Sequence, residues 1–396
     1  MSWYIPKMGY QENFLAAEQK KLGVNVEIIT SDRVPEYKGY ERNVGSIIGG
    51  RIIGTGIFEE NNVKIHRLPS LFEMNGQILL KGLIKKLKQL KPDIVQAHGA
   101  FSPLTLQVIL CSTYLNYSVF VDDHSHETNF YIDSLATRMY IILIKLFYFR
   151  YGNRVCFWMP VTYSAKQILQ SVLKIPDNKI TLLPLGADQS RFKKSKELRK
   201  IGRNESGIKD DSLLILSSGK FDERKDIYFL IKAFEKVCEE YPNIYLLLLG
   251  SGSEEYIIKL KDMINSAGLD SNVIFKNFVP NSELSKYYNA ADIGVWPGDP
   301  SITVIEAVAT GLPVIIPKND PAYQVLVESN ASICFERRNV DSLSTAILKL
   351  IKNQNMRYKL IENNLNLVEK TLSWNKVAEK SISIYLSRDH KDVFKN

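Results

Sequence analysis

Cysteine and histidine are scarce in this chain, with four cysteines (Cys111, Cys156, Cys238 and Cys334) and five histidines in 396 residues. No CxxC pair occurs and no histidine sits near a cysteine, which excludes the spacings of a zinc site or a disulfide framework and fits a reducing cytoplasm. No apolar run approaches the ~20 residues needed to cross a bilayer. The amino terminus, MSWYIPKMGY, lacks the basic-then-apolar layout of a secretory signal. Internal repeats and low-complexity tracts are missing too, so repeat architectures are excluded. Acid is in deficit: 43 Asp and Glu face 51 Lys and Arg, giving a net charge of +8. That balance points toward anionic partners, namely nucleoside diphosphates or an anionic membrane surface. Nucleic acid is not expected, because the basic residues interleave with acidic ones and no nucleic-acid module is recognisable.

What remains is an ordinary globular mixture, 45% hydrophobic and 24% charged, long enough for two domains. Short apolar runs alternate with helical patterns, the sign of parallel α/β sheets. In the first half the strand candidates are 24–30, 63–67, 93–97, 117–121 and 180–184, with helices at 10–22, 76–91 and 131–150. The second half repeats the scheme with strands at 213–218, 244–250, 272–275, 293–296 and 313–317. Between them, Gln189 to Asp211 is polar and reads as a linker leading into the second domain. The expectation is a pair of doubly wound, Rossmann-like sheets, 1–190 and 191–373, facing a cleft, with ligands in the loops after the strands.

Three segments of the second half carry chemistry. Ser301 follows Pro300 as a helix N-cap, so Ile302 to Thr310 form a short helix whose first amides, at Ser301, Ile302 and Thr303, are placed to bind an anion. Glu306 lies one turn in, either as a charge on a solvated face or as a carboxylate accepting two ribose hydroxyls. In SSGKFDERKD, Gly219 is followed by Lys220, Arg224 and Lys225, cations that can neutralise a departing diphosphate or merely line a solvated face. LLLLGSGSEE sets Gly250 after a buried strand but lacks the full GxGxxG spacing of a nicotinamide site. In the first half, His98 and His124 both follow strands, with Asp122, Asp123 and His126 nearby. His124 and His126 are spaced to bind a metal, but the sequence offers no third ligand.

Taken in order, PLGAD with Phe192, GKFDERKD, LLLLGSGSE, FKNFVPNSELSKYYNAADIGVWP and IEAVATGLPVI resemble the carboxyl-terminal domain of the retaining glycosyltransferases of family 4, which have the GT-B fold. GYQENFLAAEQKKLGVNVEIITSD and DIVQAHG extend the likeness more faintly over the first half. The resemblance implies a nucleotide-sugar donor on the second domain and an acceptor, a glycan or lipid-linked intermediate, on the first. It implies that Lys220, in place of the usual Arg, and Lys225 bind the donor diphosphate, Glu306 the ribose, the Val279 backbone the base and Gly9 the phosphate. His124 matches the residue that contacts the transferred sugar, His98 and Asp123 fall at the acceptor side, and no metal or other cofactor is implied.

Two departures stand out. Where the family usually carries a second Glu, eight positions before Glu306, this chain has Gly298, and Asp299 or the Ser301 hydroxyl is expected to substitute. Only Met1 to Tyr4 precede Ile5, so the first strand of the first domain reads as truncated. A helix from Trp374 to about 390 is expected to pack back on the first domain. The basic amphipathic segments 81–91 and 138–151 point to peripheral attachment at the inner face of the cell membrane. The rival readings are a nucleotide-sugar epimerase, which turns over donor alone, and a non-catalytic partner protein, which turns over nothing.

Overall fold

The computed structural model describes residues 1–6, 10–34, 49–74, 76–127 and 134–387. It divides into two compact units, Met1–Pro184 with Val377–Asn396, and Leu185–Lys376. The break expected at 190/191 therefore falls after Pro184, and the chain rejoins the first unit at Val377.

The first unit runs α1 (Gln11–Lys21), β1 (Glu27–Ser31), β2 (Gly56–Glu60), β3 (Val63–Leu68), β4 (Ser70–Met74), β5 (Gln77–Leu80), α2 (Leu83–Leu90), β6 (Ile94–His98), α3 (Pro103–Cys111), β7 (Ser118–Asp123), α4 (Leu135–Tyr151), β8 (Val155–Pro160) and α5 (Tyr163–Val172). β1 pairs in parallel with β3, whose other edge takes β2 antiparallel, while β6, β7 and β8 form a second parallel sheet in that order. Val119, Val121 and Trp158 of that sheet pack with Leu83 and Leu87 of α2 and Ile144 and Tyr148 of α4.

Two expectations fail here for local reasons. The helix expected over 76–91 begins only at Leu83, because Gly82 is left-handed (φ 80) and the preceding residues form the β4–β5 hairpin. The strand expected at 180–184 reduces to a single bridge from Ile180 to Trp158, and β8 takes its place.

The second unit runs α6 (Lys196–Ser206), β9 (Leu213–Phe221), α7 (Ile227–Glu240), β10 (Ile244–Gly252), α8 (Glu254–Ser266), β11 (Val273–Lys276), α9 (Asn281–Ala290), β12 (Ile293–Val295), α10 (Ile302–Ala309), β13 (Val314–Pro317), β14 (Ser332–Phe335), α11 (Val340–Lys352), α12 (Gln354–Leu367) and the start of α13 (Trp374–Leu386). Its six strands are all parallel, in the order β11-β10-β9-β12-β13-β14. Leu214, Leu216 and Leu246 to Leu248 are fully buried, as a sheet covered on both faces requires. The chain winds outward from β9 to β11 and then crosses to β12 on the other side of β9. The reversal makes the carboxyl ends of β9 and β12 the switch point, where open α/β sheets bind their ligands.

The stretch expected as a linker is instead part of this unit. Arg203 of α6 is fully buried and donates to the Ala290 carbonyl (2.9 Å), and it also binds the carbonyls of Lys209 and Ser212. Gly202 lets α6 lie against α9, since a Cβ there would stand 2.3 Å from the Lys286 oxygen.

Candidate functional site

At the switch point of the second unit, Gly219, two residues before the end of β9, has φ +133 and pairs with Gly250 of β10. A Cβ on Gly250 would stand 1.8 Å from the Gly219 oxygen, so the close approach of these strand ends needs bare glycine. Over Gly219 lie Ser301 Oγ and Thr303 Oγ1, 3.8 and 4.0 Å from where its own Cβ would be. Ser301 caps α10 as expected: its hydroxyl accepts from the Thr303 amide (3.4 Å) and meets the Thr303 hydroxyl at 2.8 Å. The Trp296 indole N–H, shared between the Ser218 carbonyl (2.9 Å) and Thr303 Oγ1 (3.1 Å), ties the ends of β9 and β12 together. The cap takes up the Thr303 amide, and the Val304 amide donates to the Ser301 carbonyl (3.2 Å), so the cap and first turn of α10 lie beside Gly219 at the end of the sheet, where a helix N-terminus favours an anion.

The cations divide into two kinds. Lys220 is exposed at the strand end. Lys225 is half-buried, and its ammonium donates to the carbonyls of Asp299 (2.8 Å) and Pro300 (2.9 Å), the two residues that lead into the cap of α10. Burial depresses its pKa, with the Asp299 and Asp222 charges opposing. Two of its three protons hold the loop, which leaves one for a ligand.

Asp299 does not stand in for the missing Glu in the simple way expected. It is buried, and Arg337 binds its Oδ1 (2.8 Å) while also binding Asp226 (2.7 Å) and the Arg224 carbonyl (3.1 Å). Gly298 packs on the backbone of Arg224 and Lys225, where a Cβ would come within 2.3 Å of the Arg224 oxygen, so no larger residue fits that loop as it stands. Arg337 and Asp226 were missed in the sequence. The signal was the Arg337-Arg338 pair directly after β14, in the same post-strand position as the other cations.

Glu306 is not on a solvated face. It is 4% exposed; Asn281 donates to its Oε1 (2.7 Å), and its Oε2 and the Asn281 Oδ1 are both buried without a hydrogen-bond partner. Burial lifts the carboxyl pKa to about 7, against the pull of Asn281 and Arg191. Two unmet acceptors side by side fit a ligand that offers neighbouring hydroxyl donors. Asn281, at the start of α9, was not singled out from the sequence. Val279, two residues earlier, is half-buried. Gly9 lies outside the described residues.

In the first unit, His98 Nδ1 sits 2.7 Å from Asp122 Oδ1, and His124 Nε2 lies 3.8 Å from the same oxygen, with the imidazoles 4.5 Å apart. Gln96 donates to the other Asp122 oxygen, and Tyr385 donates to Gln96. Burial opposes charge on His98, but Asp122 outweighs it and raises the pKa to about 9. Burial and the His98 charge push His124 down to about 3. At neutral pH the cluster is therefore an imidazolium–carboxylate pair beside a neutral imidazole. These three residues form the one metal-competent group among the described residues, their donor atoms within 4.8 Å of one another; His126 is not in it. A cation bound there would have to displace the His98 proton.

Asp123 departs from the acceptor-contact role expected for it. It is 1% exposed, and its oxygens accept the Ala100 (2.9 Å) and Ser125 (3.1 Å) amides, so it closes two loops rather than facing a ligand.

Residues 14–191 match the family model described as Glycosyltransferase Family 4, and residues 199–366 match that of Glycosyl transferases group 1. An uncharacterized glycosyltransferase of Methanocaldococcus jannaschii is 27% identical over 236 residues, 58% of this chain and 60% of that protein. The chain thus matches about three fifths of that relative's length. The alpha-monoglucosyldiacylglycerol synthase of Acholeplasma laidlawii is 24% identical over 296 residues, 71% of this chain and 74% of that protein. The solved structure of Anabaena HepE in complex with UDP superposes with a TM-score of 0.74 at 12% identity, covering 98% of both chains.

Proposed function

We propose, on the premise that this chain belongs to the family 4 and group 1 glycosyltransferases and has their GT-B fold, that it transfers a sugar from a nucleoside diphosphate to a lipid-linked or cell-surface glycan acceptor, with retention of configuration. The observation that carries the donor reading is the convergence at the sheet's switch point of the α10 cap over Gly219, of Lys225 on the loop that leads into that cap, and of Lys220 next to Gly219. The diphosphate lies there. Glu306 Oε2 and Asn281 Oδ1 accept the ribose hydroxyls, and charge developing on the leaving diphosphate is met by the two lysines and the α10 amides. The UDP complex of the Anabaena neighbour supports this choice of donor class.

The acceptor reading rests on α4. Leu135, Met139, Ile142, Leu143, Leu146 and Phe149, the last 93% exposed, form a stripe of large apolar side chains along one face of this helix. Arg138, Lys145 and Arg150 flank the stripe, and Lys85 and Lys88 are exposed on α2. Apolar side chains in the interface with cations beside them are the layout of a helix that lies on an anionic bilayer. No helix among the described residues is long and apolar enough to cross a membrane. The diacylglycerol named for the Acholeplasma relative agrees with a lipid-linked acceptor.

Calorimetric titration with UDP, GDP and ADP, on the chain and on Lys220→Ala, tests the donor site. One nucleotide bound at micromolar affinity and weakened at least tenfold in the variant is expected, since a lost charge-assisted contact is worth ~1.5–3 kcal/mol. Lys220 is the cleaner choice because Lys225 also holds the loop. Absence of binding by folded protein overturns the reading in favour of a non-catalytic partner.

A further inference from the structure

The cluster of His98, Asp122 and His124 in the first unit takes no part in the donor chemistry, which invokes no metal. Parallel pairing of β6 with β7 sets His98 directly beside Asp122. The side-chain period of two then carries His124, just past the end of β7, to the same face as Asp122. Three donor atoms converge as a result, His98 Nδ1, Asp122 Oδ1 and His124 Nε2, all within 4.8 Å of one another.

The ion pair between His98 and Asp122 accounts for two of the three. It does not account for His124, whose Nε2 is buried with no hydrogen-bond partner and stands 3.8 Å from Asp122 Oδ1, too far for a hydrogen bond. A buried polar atom left in this way costs stability unless a bound group meets it. The group that two imidazole nitrogens and a carboxylate oxygen can meet together is a cation.

The donor set selects the class of cation. Two nitrogens and one oxygen suit zinc and its first-row neighbours, whereas calcium and magnesium demand mostly oxygen. Tetrahedral zinc, with bonds of ~2.0–2.1 Å, holds its donors about 3.3 Å apart. The separations from Asp122 Oδ1 are 2.7 Å for His98 and 3.8 Å for His124, so one imidazole withdraws by about 0.6 Å and the other closes by about 0.5 Å. Both side chains keep about a third of their surface in solvent, 32% and 33%, which leaves them room to turn and gives an ion its way in. The ion replaces the His98 proton, which leaves to solvent.

The surroundings hold the ligands in place before any ion arrives. Gln96 donates to Asp122 Oδ2, Tyr385 donates to Gln96, and Gln19 donates to Tyr385 (3.0 Å). Asp123 fixes the backbone on both sides by accepting the Ala100 amide (2.9 Å), two residues after His98, and the Ser125 amide (3.1 Å), next to His124. Outer contacts of this kind orient the ligands of metal sites.

We propose that His98, Asp122 and His124 form a binding site for a divalent first-row transition ion, zinc above all, with three protein donors and a fourth position open to water. While the ion is bound, His124 Nε2 is unavailable to any other partner. The ion therefore competes with whatever that imidazole otherwise contacts.

The full chain, stripped with a chelator, is titrated with Zn2+ by calorimetry and with Co2+ by visible absorption, alongside His98→Gln, His124→Gln and His126→Gln. One Zn2+ per chain and the visible bands of a four-coordinate Co2+ ion are expected for the unaltered chain and for His126→Gln, since His126 lies outside the cluster. His98→Gln and His124→Gln should each bind at least about tenfold more weakly, because even outer-contact substitutions cost that much. Saturating Zn2+ should raise Tm in the unaltered chain and in neither of these two variants. The Co2+ spectrum of the unaltered chain needs no variant, so the proposal stays testable if one fails to fold. Equal Zn2+ affinity in all four forms, absence of the Co2+ bands, or loss of binding in His126→Gln alone would overturn it. No nucleotide enters these measurements, so the donor-site proposal stands or falls separately.

Discussion

Glu306 gives the sharpest test of the donor site, because its protonation and its proposed ligand compete. Burial raises its carboxyl from the ordinary 4.5 to about 7. The folded chain therefore holds a proton that the unfolded chain has released, and this costs the unliganded fold stability as pH rises from 4.5 through 7. At ~1.4 kcal/mol per pK unit the cost above pH 7 is about 3 kcal/mol. In the proposed site one ribose hydroxyl donates to Glu306 Oε2 and its neighbour to Asn281 Oδ1, and a proton on Oε2, the oxygen that Asn281 does not hold, removes the first of these acceptors. Nucleotide binding must then expel the proton, and affinity must rise with pH. If only the ionised form binds, about a tenth of the sites are competent at pH 6 and about nine tenths at pH 8, a rise near tenfold.

The assay is calorimetry of nucleoside diphosphate binding at several pH values, in two buffers of different ionisation enthalpy. At pH 7 about half a proton should be released per ligand bound. The diphosphate's own ionisation contributes a slope in the same direction, so the informative quantity is the difference from Glu306→Gln, which should bind more weakly and lose the extra slope. An identical pH slope in wild type and variant would refute the reasoning, because it would show that Glu306 does not meet the ligand as a carboxylate.

The same chemistry sets the remaining expectations. Gly298→Ala puts a Cβ within 2.3 Å of the Arg224 carbonyl and must displace the loop that Lys225 holds, so nucleotide affinity should fall at least about tenfold in titrations while the fold's circular dichroism is unchanged. Leu146→Glu with Phe149→Glu should abolish cosedimentation with anionic liposomes and leave Tm within about 1 °C, because both side chains are already in water. His98 has its pKa raised, so the stability it lends is complete below pH 6.5 and is lost as pH rises through about 9; urea midpoints across that range should fall, and His98→Gln should remove the fall.

The second unit's sheet was legible in the sequence because its strands are buried on both faces and so read as unbroken apolar runs such as Ile244 to Leu249. The first unit was harder. β8 mixes Cys156, Trp158 and Met159 with valine, and β2 is exposed along most of its length, so neither gives a clean run. The linker expectation failed for an opposite reason. Arg203 counts as polar in any composition window, yet its guanidinium is consumed by the nearby carbonyls of Lys209 and Ser212 and by that of Ala290, 87 positions on at the end of α9.

The candidate site shows the same division more sharply. Residues whose role depends on their own type and local spacing, such as the Ser301 cap, Gly219 and the lysines after it, were visible one segment at a time. Residues whose role depends on a distant partner were not. Asp299 or the Ser301 hydroxyl was the expected replacement for the acid missing at Gly298, Asp299 because it is adjacent and carries the right group. The structure instead gives Asp299 to Arg337, 38 positions on, and Arg337 in turn to Asp226. That network also explains why Gly298 is tolerated. A charged side chain there would have no room against the Arg224 and Lys225 backbone, and the loop is already held by Lys225 on one side and Arg337 on the other. Gly298 is therefore committed to the loop that Lys225 and Arg337 hold, and within that network Asp299 Oδ2 is buried without a hydrogen-bond partner.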